Sequence, residues 1–154
     1  MITDQSFVAQ VRDSWKTVRT IYSMIQTNTS SGTIFSLIPH ATGFSKVPES
    51  LLLLFGVSVL EGVLQKLRDD GVFSCTGSEF GRLLNASKSS LPWKNYEEIK
   101  KIRLRRNSVA HRREFLAIGQ CDKDLSAIAQ ELITWRVLDA DYQIPFTVSI
   151  TPNA

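Results

Sequence analysis

The stretch from Leu51 to Leu60 constrains the fold more than any other part of this chain. It is apolar nearly all round, so a helix formed there must be covered on every side by other elements. Pro48 suits the first turn of such a helix, which we expect to reach about Asp70 and to end before Gly71. The run is interrupted by Glu61 and is too short to span a bilayer. It therefore predicts the central, most buried helix of a soluble protein.

Hydrophobic periodicity predicts three more long helices and one short one. Apolar residues recur at steps of three and four in the first helix, which gives it one apolar face. The short helix is indicated by a capping-box pattern, Thr76-x-x-Glu79. The predicted spans are about Asp4 to Gln26, Thr76 to about Asn85, Pro92 or Trp93 to Ala110 or a little beyond, and Asp122 or Asp124 to about Asp139.

Two segments do not follow this helical pattern. Asn28 to Val47 is rich in Ser, Thr and Gly, and predicts a long connection with one helical turn near Ile34 to Ile38. From Ile144 to Ile150, apolar residues alternate with polar ones, as in a short strand or an extended arm. Pro145 argues against a central strand, because proline cannot donate to a sheet.

These elements together predict an all-α fold. We expect an up-and-down helical bundle of four main helices plus one short helix, with an extended C-terminal arm. The length fits a single domain over residues 1–154, with a core at about 4–140 and the arm at 141–154. Cys75 and Cys121 form no metal or disulfide pattern, so we expect reduced thiols in a cytoplasmic protein.

Positive charge is concentrated in the fourth predicted helix. Residues 94–113 hold eight Lys or Arg and two Glu, a formal charge of +6, whereas the other residues hold 10 basic and 13 acidic side chains, a charge of −3. A polyanion would be drawn to this segment. The alternative is a solvated helix face, which is the usual meaning of a charge run. Because this run coincides with Arg106 and His111, we weigh the two interpretations about equally.

Arg106 occupies an unusual position on this basic helix. It lies in the middle of the apolar arc formed by Ile99, Ile102, Val109 and Ala110. A guanidinium there needs a partner or a groove, because burying it alone would be costly. Glu61, the acid within the apolar second helix, is the partner that we predict.

His111 lies five residues after Arg106, about 140° around an ideal helix. Asn107 and His111 are four apart and share a face with Arg103 and Lys100. Arg106 and His111 therefore do not converge within one regular helix. Either the helix ends or loosens near His111, or a second chain completes the site. We favour a symmetric dimer whose basic helices face each other.

The sequence Arg106-Asn107-Ser108-Val109-Ala110-His111, near the end of a long basic helix in a small bundle, resembles the HEPN superfamily (higher eukaryotes and prokaryotes nucleotide-binding). The resemblance covers roughly Asp4 to Ala140. It implies metal-independent RNA cleavage that yields a 2′,3′-cyclic phosphate, in a homodimer that brings two motifs together. Many such proteins are toxins or defence nucleases held in check by an antitoxin protein.

The resemblance also implies a role for each motif residue. His111 would act as general base or acid at the ribose 2′-hydroxyl and the leaving oxygen. Arg106 would stabilise charge on the phosphate, and Asn107 would orient the site. A subgroup of toxins has a tyrosine two residues after the histidine, where this chain has Arg113, so neutralisation by modification of that tyrosine is not expected.

The remaining basic residues are candidate RNA contacts, and no metal or cofactor is expected. The predicted RNA-binding residues are Lys100, Arg103, Arg105, Arg112 and Arg113. Two histidines and two cysteines lie too far apart for a zinc site, and no phosphate-binding glycine loop is present. Two alternatives remain open: a non-catalytic HEPN-like module that binds RNA or nucleotide, and a helical adaptor whose basic helix meets an acidic protein.

Overall fold

Five α-helices make up this computed structural model, which describes residues 2–31, 46–112, 114–117 and 119–144. The elements are α1 Gln5–Ser31, α2 Lys46–Asp69, α3 Phe80–Ser87, α4 Tyr96–Arg112, α5 Gln120–Thr134 and a 3-10 turn, Ala140–Tyr142. The helix α2 packs against each of the other four. The described residues contain no strand, so the predicted all-helical bundle is confirmed.

The centre of the core is one side of α2, not its whole circumference as the sequence predicted, because Leu51 and Phe55 are 58% and 38% exposed. Leu53, Val57, Leu60 and Leu64 have no exposed surface, and Trp15 of α1 is equally buried beside them. Close packing of this kind provides the main hydrophobic stabilisation of a helical bundle. The prediction that this helix is the central one is therefore confirmed.

The apolar helix is not too short to span a bilayer, contrary to the prediction from Leu51–Leu60 alone. Because α2 extends beyond Leu51–Leu60 in both directions, Val47–Asp69 is long and apolar enough to cross a bilayer by length and composition, with a mean hydropathy of 1.7. It is the one such helix among the described residues. Its buried leucines and valines pack on the other helices, which is the pattern of a core helix in a soluble bundle.

Gly56 allows α2 to approach α5 closely. A Cβ atom at this position would lie 2.5 Å from Cδ2 of Leu125, whose side chain is fully buried. A Cβ on Gly62, two turns along the same helix, would meet no atom within 4 Å. The two glycines therefore provide a matched pair for measuring core packing.

We expect Gly56→Ala to lower the free energy of unfolding by about 1–3 kcal/mol, because the added methyl group overpacks the α2–α5 contact. We expect Gly62→Ala to raise it by up to about 1 kcal/mol, because alanine is the better helix former. Urea denaturation followed by circular dichroism would measure both. Equal effects of the two substitutions would contradict this packing.

The C-terminus of α2 is closed by Gly71, as predicted. Its φ angle is +78°, and its N–H donates to the carbonyl of Arg68 while the Val72 N–H donates to that of Leu67. This pair of hydrogen bonds is the Schellman motif, for which glycine is favoured because it adopts a left-handed conformation without strain.

The starts of α3 and α4 differ from their predictions. The prediction of a capping box at Thr76 and Glu79 was wrong, because α3 begins at Phe80. Its N-cap residue, Glu79, makes no side-chain capping bond and pairs with Arg82 at 3.1 Å. The helix α4 begins at Tyr96 because the buried carboxylate of Glu131 on α5 accepts hydrogen bonds from the N–H groups just before it. A cap supplied from another helix leaves no local sequence signal.

The boundary between the last helix and the C-terminal arm also differs from the prediction. α5 ends at Thr134 rather than Asp139, and the chain then turns through Arg136, whose φ is +58°. The first residues of the predicted arm pack on the bundle: the Trp15 indole N–H donates to the Tyr142 carbonyl at 3.0 Å, and Ile144 is buried. The helical turn predicted near Ile34–Ile38 and the arm from 145 onward lie outside the described residues.

Candidate functional site

A polar cleft of about 360 Å³ opens where α2, α3 and α4 meet. The α4 helix contributes three predicted site residues, α2 contributes one, and α3 contributes its N-terminal end. The lining residues are Glu61, Glu79, Phe80, Gly81, Arg103, Arg106 and Asn107. The fold therefore gathers Glu61 with part of the basic helix, although the sequence places them far apart.

Arg106 lies at the edge of the core with one-third of its side chain exposed. Its Nη1 donates to Oδ1 of Asn107 at 3.1 Å, and its Nη2 lies 4.0 Å from Oε2 of Glu61. The predicted pairing of Arg106 with Glu61 is confirmed, as a loose ion pair. These two contacts use only part of the five N–H groups of the guanidinium, so the others remain available to donate to a ligand in the cleft.

Arg103 extends from α4 across the start of α3. A Cβ atom on Gly81 would lie 2.8 Å from Nη1 of Arg103 and 3.3 Å from Cζ, so the absence of a side chain at Gly81 makes room for this guanidinium. No carboxylate within the described residues forms an ion pair with Arg103. Two guanidinium groups thus line one cleft, which suits a phosphate.

Arg105, also predicted to contact RNA, does not line this cleft, and carboxylates bind its guanidinium. Its Nε and Nη2 donate to both carboxylate oxygens of Asp124, at 2.8 and 2.6 Å, and Nη2 also donates to Glu98 at 2.6 Å. Asp124 is fully buried, and burial raises the pKa of its carboxyl group, although the Arg105 hydrogen bonds act in the opposite direction. Arg105 therefore joins α4 to α5.

Two of the other predicted RNA contacts, Lys100 and Arg112, do not line the cleft. Lys100 pairs with Glu97 at 3.0 Å, and its ammonium lies 5.8 Å from the centre of the Tyr96 ring. Arg112 is exposed in the last turn of α4. Arg113 lies outside the described residues.

His111 is exposed in the last turn of α4 and does not line the cleft. α4 does not end or loosen at His111 but continues through Arg112. Beyond its end, the Glu114 N–H donates to the Ser108 carbonyl at 3.4 Å. Arg106 and His111 therefore stay about 140° apart around the helix axis. Asn107 lies between them on the helix surface, and one chain alone does not bring the imidazole to the guanidinium.

Large apolar side chains are exposed close to His111 in the sequence. Leu104 precedes His111 by two turns on the same face of α4 and is 57% exposed, and Phe115 just after the helix is 51% exposed. The surface around His111 is therefore partly apolar and not uniformly basic. Sequence reasoning did not identify them, because a single leucine and a single phenylalanine carry no periodic signal.

Several titratable groups are buried elsewhere, with structural roles. Burial raises the pKa of the Cys121 thiol far above its ordinary value, which keeps the thiol protonated. Burial also raises the pKa of Glu131, against the backbone hydrogen bonds that it accepts, and that of Tyr22 to about 12. None of these groups lines the polar cleft.

A second groove of about 380 Å³ lies between α1 and α2. Apolar residues line it: Ile21, Val47, Pro48, Leu51, Leu52 and Phe55. It offers no group for proton transfer or for binding an anion. Within the described part of the chain, no three His, Cys, Asp or Glu side chains form a group that would hold a metal ion.

Comparison with known proteins gives no relative: no family model matches the chain, and neither a curated protein nor a solved structure matches it significantly. The function must therefore be argued from the cleft. Its two guanidinium groups, one amide and two carboxylates, of which Glu61 is the loosely paired one, can bind an anion that also offers hydrogen-bond donors.

Proposed function

We propose that this protein is a metal-independent endoribonuclease of the HEPN type, acting as a homodimer. The observation that carries the proposal is the cleft in which Arg106, Asn107 and Arg103 lie together, with an exposed histidine one turn beyond Asn107 on the same helix. Guanidinium groups suit the phosphate of an RNA backbone, and imidazole suits proton transfer near neutral pH.

The arrangement around His111 favours a second copy of the chain as the missing part of the site. The imidazole is separated from Arg106 by the helix surface, and the exposed Leu104 and Phe115 provide apolar area for a protein contact. A two-fold axis that lies between this face and the cleft would place His111 of one protomer next to the cleft of the other. The interface would then be continuous with the catalytic site.

The chemistry follows from these groups. One His111 removes the proton of the ribose 2′-hydroxyl, and the resulting oxygen attacks the adjacent phosphorus. Arg106 donates hydrogen bonds to the phosphoryl oxygens as negative charge builds on them. The bond from phosphorus to the 5′-oxygen breaks, and that oxygen takes up a proton from an imidazolium. The products are a 2′,3′-cyclic phosphate and a free 5′-hydroxyl end.

We expect Arg106→Ala to reduce cleavage of mixed RNA by a factor of about 10²–10³, because the transition-state charge loses its donor. The assay is incubation of purified protein with RNA in EDTA, with the 2′,3′-cyclic phosphate ends quantified. Arg19→Ala, which removes an arginine from α1, is the matched control and should retain full activity. Cleavage that requires a divalent metal, or that Arg106→Ala leaves intact, would contradict the proposal.

A non-catalytic RNA-binding module is the second candidate, and the position of His111 outside the cleft favours it. Such a module binds RNA with an affinity that falls as salt rises, and it releases no cyclic phosphate from the wild-type protein. For the nuclease we further propose a cytoplasmic location, a toxin or defence role, and an antitoxin protein as partner. The location rests on the pattern of Cys75 and Cys121, and the other two rest on the HEPN resemblance.

A further inference from the structure

Glu61 is paired much more loosely than the other carboxylates that face arginines on α4. Its Oε2 is 4.0 Å from Nη2 of Arg106, beyond hydrogen-bond length, whereas Asp124 receives two hydrogen bonds of 2.6 to 2.8 Å from Arg105. The Glu61 side chain is 21% exposed, and it lines the cleft. Its carboxylate oxygens therefore retain acceptor capacity toward whatever enters the cleft.

A ligand that uses both oxygens must present two adjacent donors. Among the RNA bases, only guanine does so on its Watson–Crick edge, through N1–H and the N2 amino group; adenine and cytosine present an amino group beside an acceptor, and uracil presents a single N–H. The side chain of a protein arginine also presents two donors. Arg103 and Arg106 balance the charges of Glu61 and Glu79 in the lining, so the cleft has no net negative charge to attract a cation, and the two guanidinium groups can bind the phosphates that flank a nucleotide.

The geometry points to a guanine-reading role for Glu61: its carboxylate accepts hydrogen bonds from N1–H and N2–H of a guanine base held in the cleft, with the flanking phosphate on Arg103. This inference rests on the proposed RNA substrate. The cleft volume of about 360 Å³ lies within the size range of small-ligand sites, about 300 to 1,000 Å³. Splayed-out bases read by their Watson–Crick edges are the usual targets of sequence-specific RNA recognition.

The test uses RNA that binds but does not react. Short 2′-O-methyl oligouridines that carry one central guanosine, adenosine or cytidine lack the attacking hydroxyl, so fluorescence anisotropy reports binding alone. We expect the wild-type protein to bind the guanosine oligonucleotide about tenfold more tightly than the others. Guanosine 5′-monophosphate should displace it at lower concentrations than adenosine 5′-monophosphate.

Glu61→Gln separates base reading from simple support of Arg106. Glutamine keeps one acceptor but puts a donor where the second oxygen was, so the guanosine preference should fall to less than about twofold. Asp13→Asn is the matched control, because it also removes one carboxylate from an ion pair, but Asp13 lies on α1 and does not line the cleft. It should leave the preference unchanged.

The outcomes distinguish this inference from the proposed function. Equal affinity of the wild-type protein for the three oligonucleotides, a guanosine preference that survives in Glu61→Gln, or an equal loss of affinity for all three in that variant would overturn guanine reading while leaving RNA binding intact. Displacement by an arginine-rich peptide but not by guanosine monophosphate would identify a protein ligand instead. Failure to bind any of the oligonucleotides would overturn both proposals.

Discussion

His111→Ala is expected to abolish most RNA cleavage, with a loss of about 10²–10⁴-fold, while the bundle and its dimer stay intact. The loss is large because the imidazole is assigned both proton transfers, and each contributes to the rate. The fold should survive because His111 is exposed in the last turn of α4. Cyclic-phosphate release in EDTA gives the rate, and circular dichroism gives the folded fraction.

The chain offers a matched control in its other histidine. His40→Ala removes an imidazole outside the described residues and should leave the cleavage rate unchanged. If His111→Ala and His40→Ala cleave equally well, the catalytic assignment of His111 fails. If neither these variants nor the wild-type protein releases cyclic phosphate while all of them bind RNA, the non-catalytic module is the correct description.

The same variant tests whether the site is shared between two chains. Arg106→Ala and His111→Ala are each expected to be inactive, but in a mixed dimer one site keeps Arg106 from one protomer and His111 from its partner. An equimolar mixture that has exchanged subunits should recover about one quarter of the wild-type activity. If subunit exchange is demonstrated and activity does not recover, Arg106 and His111 of one site belong to the same chain. The proposal of a shared site, which follows from their separation of about 140° around α4, would then be wrong.

The sequence predicted the helices well because periodicity depends on the residues of the helix itself. The burial of α2 followed from its apolar run, and the pairing of Arg106 with Glu61 followed from two charges in apolar surroundings. Boundaries were less predictable where the stabilising contact comes from elsewhere. Glu131 caps the start of α4 from a position 36 residues beyond Asn95.

The candidate site was predictable only in part, for the same reason. Helical spacing showed which side of α4 carries Arg103 and Asn107, but it could not show that Gly81 on another helix lies under Arg103. The last helix was predicted to begin at Asp122 or Asp124, whereas it begins at Gln120 and the Asp124 carboxylate accepts hydrogen bonds from Arg105. Spacing gives the direction of a side chain; the neighbour that meets it depends on the tertiary fold.

That buried ion pair leads to the second prediction with a large effect. Arg105→Ala should lower the free energy of unfolding by about 3–5 kcal/mol, because it leaves the fully buried Asp124 carboxylate without its cation. Asp124→Asn should cost less, about 1–3 kcal/mol, because Arg105 is partly exposed and keeps Glu98. Arg112→Ala, an exposed arginine on the same helix, should leave stability unchanged.

The decrease in the free energy of unfolding that Arg105→Ala causes should also depend on pH. Burial raises the folded-state pKa of Asp124, and the Arg105 hydrogen bonds that lower it are removed in this variant, so the pKa rises further. A raised folded-state pKa means that stability is retained below the unfolded value, about 3.9, and is lost as the pH rises through the folded one. The deficit of Arg105→Ala relative to wild type, measured by urea denaturation, should therefore be smaller at pH 4 than at pH 7. A deficit that is independent of pH would mean that the loss of stability does not come from ionised Asp124. A variant that remains stable but loses RNA binding would show instead that Arg105 contacts RNA.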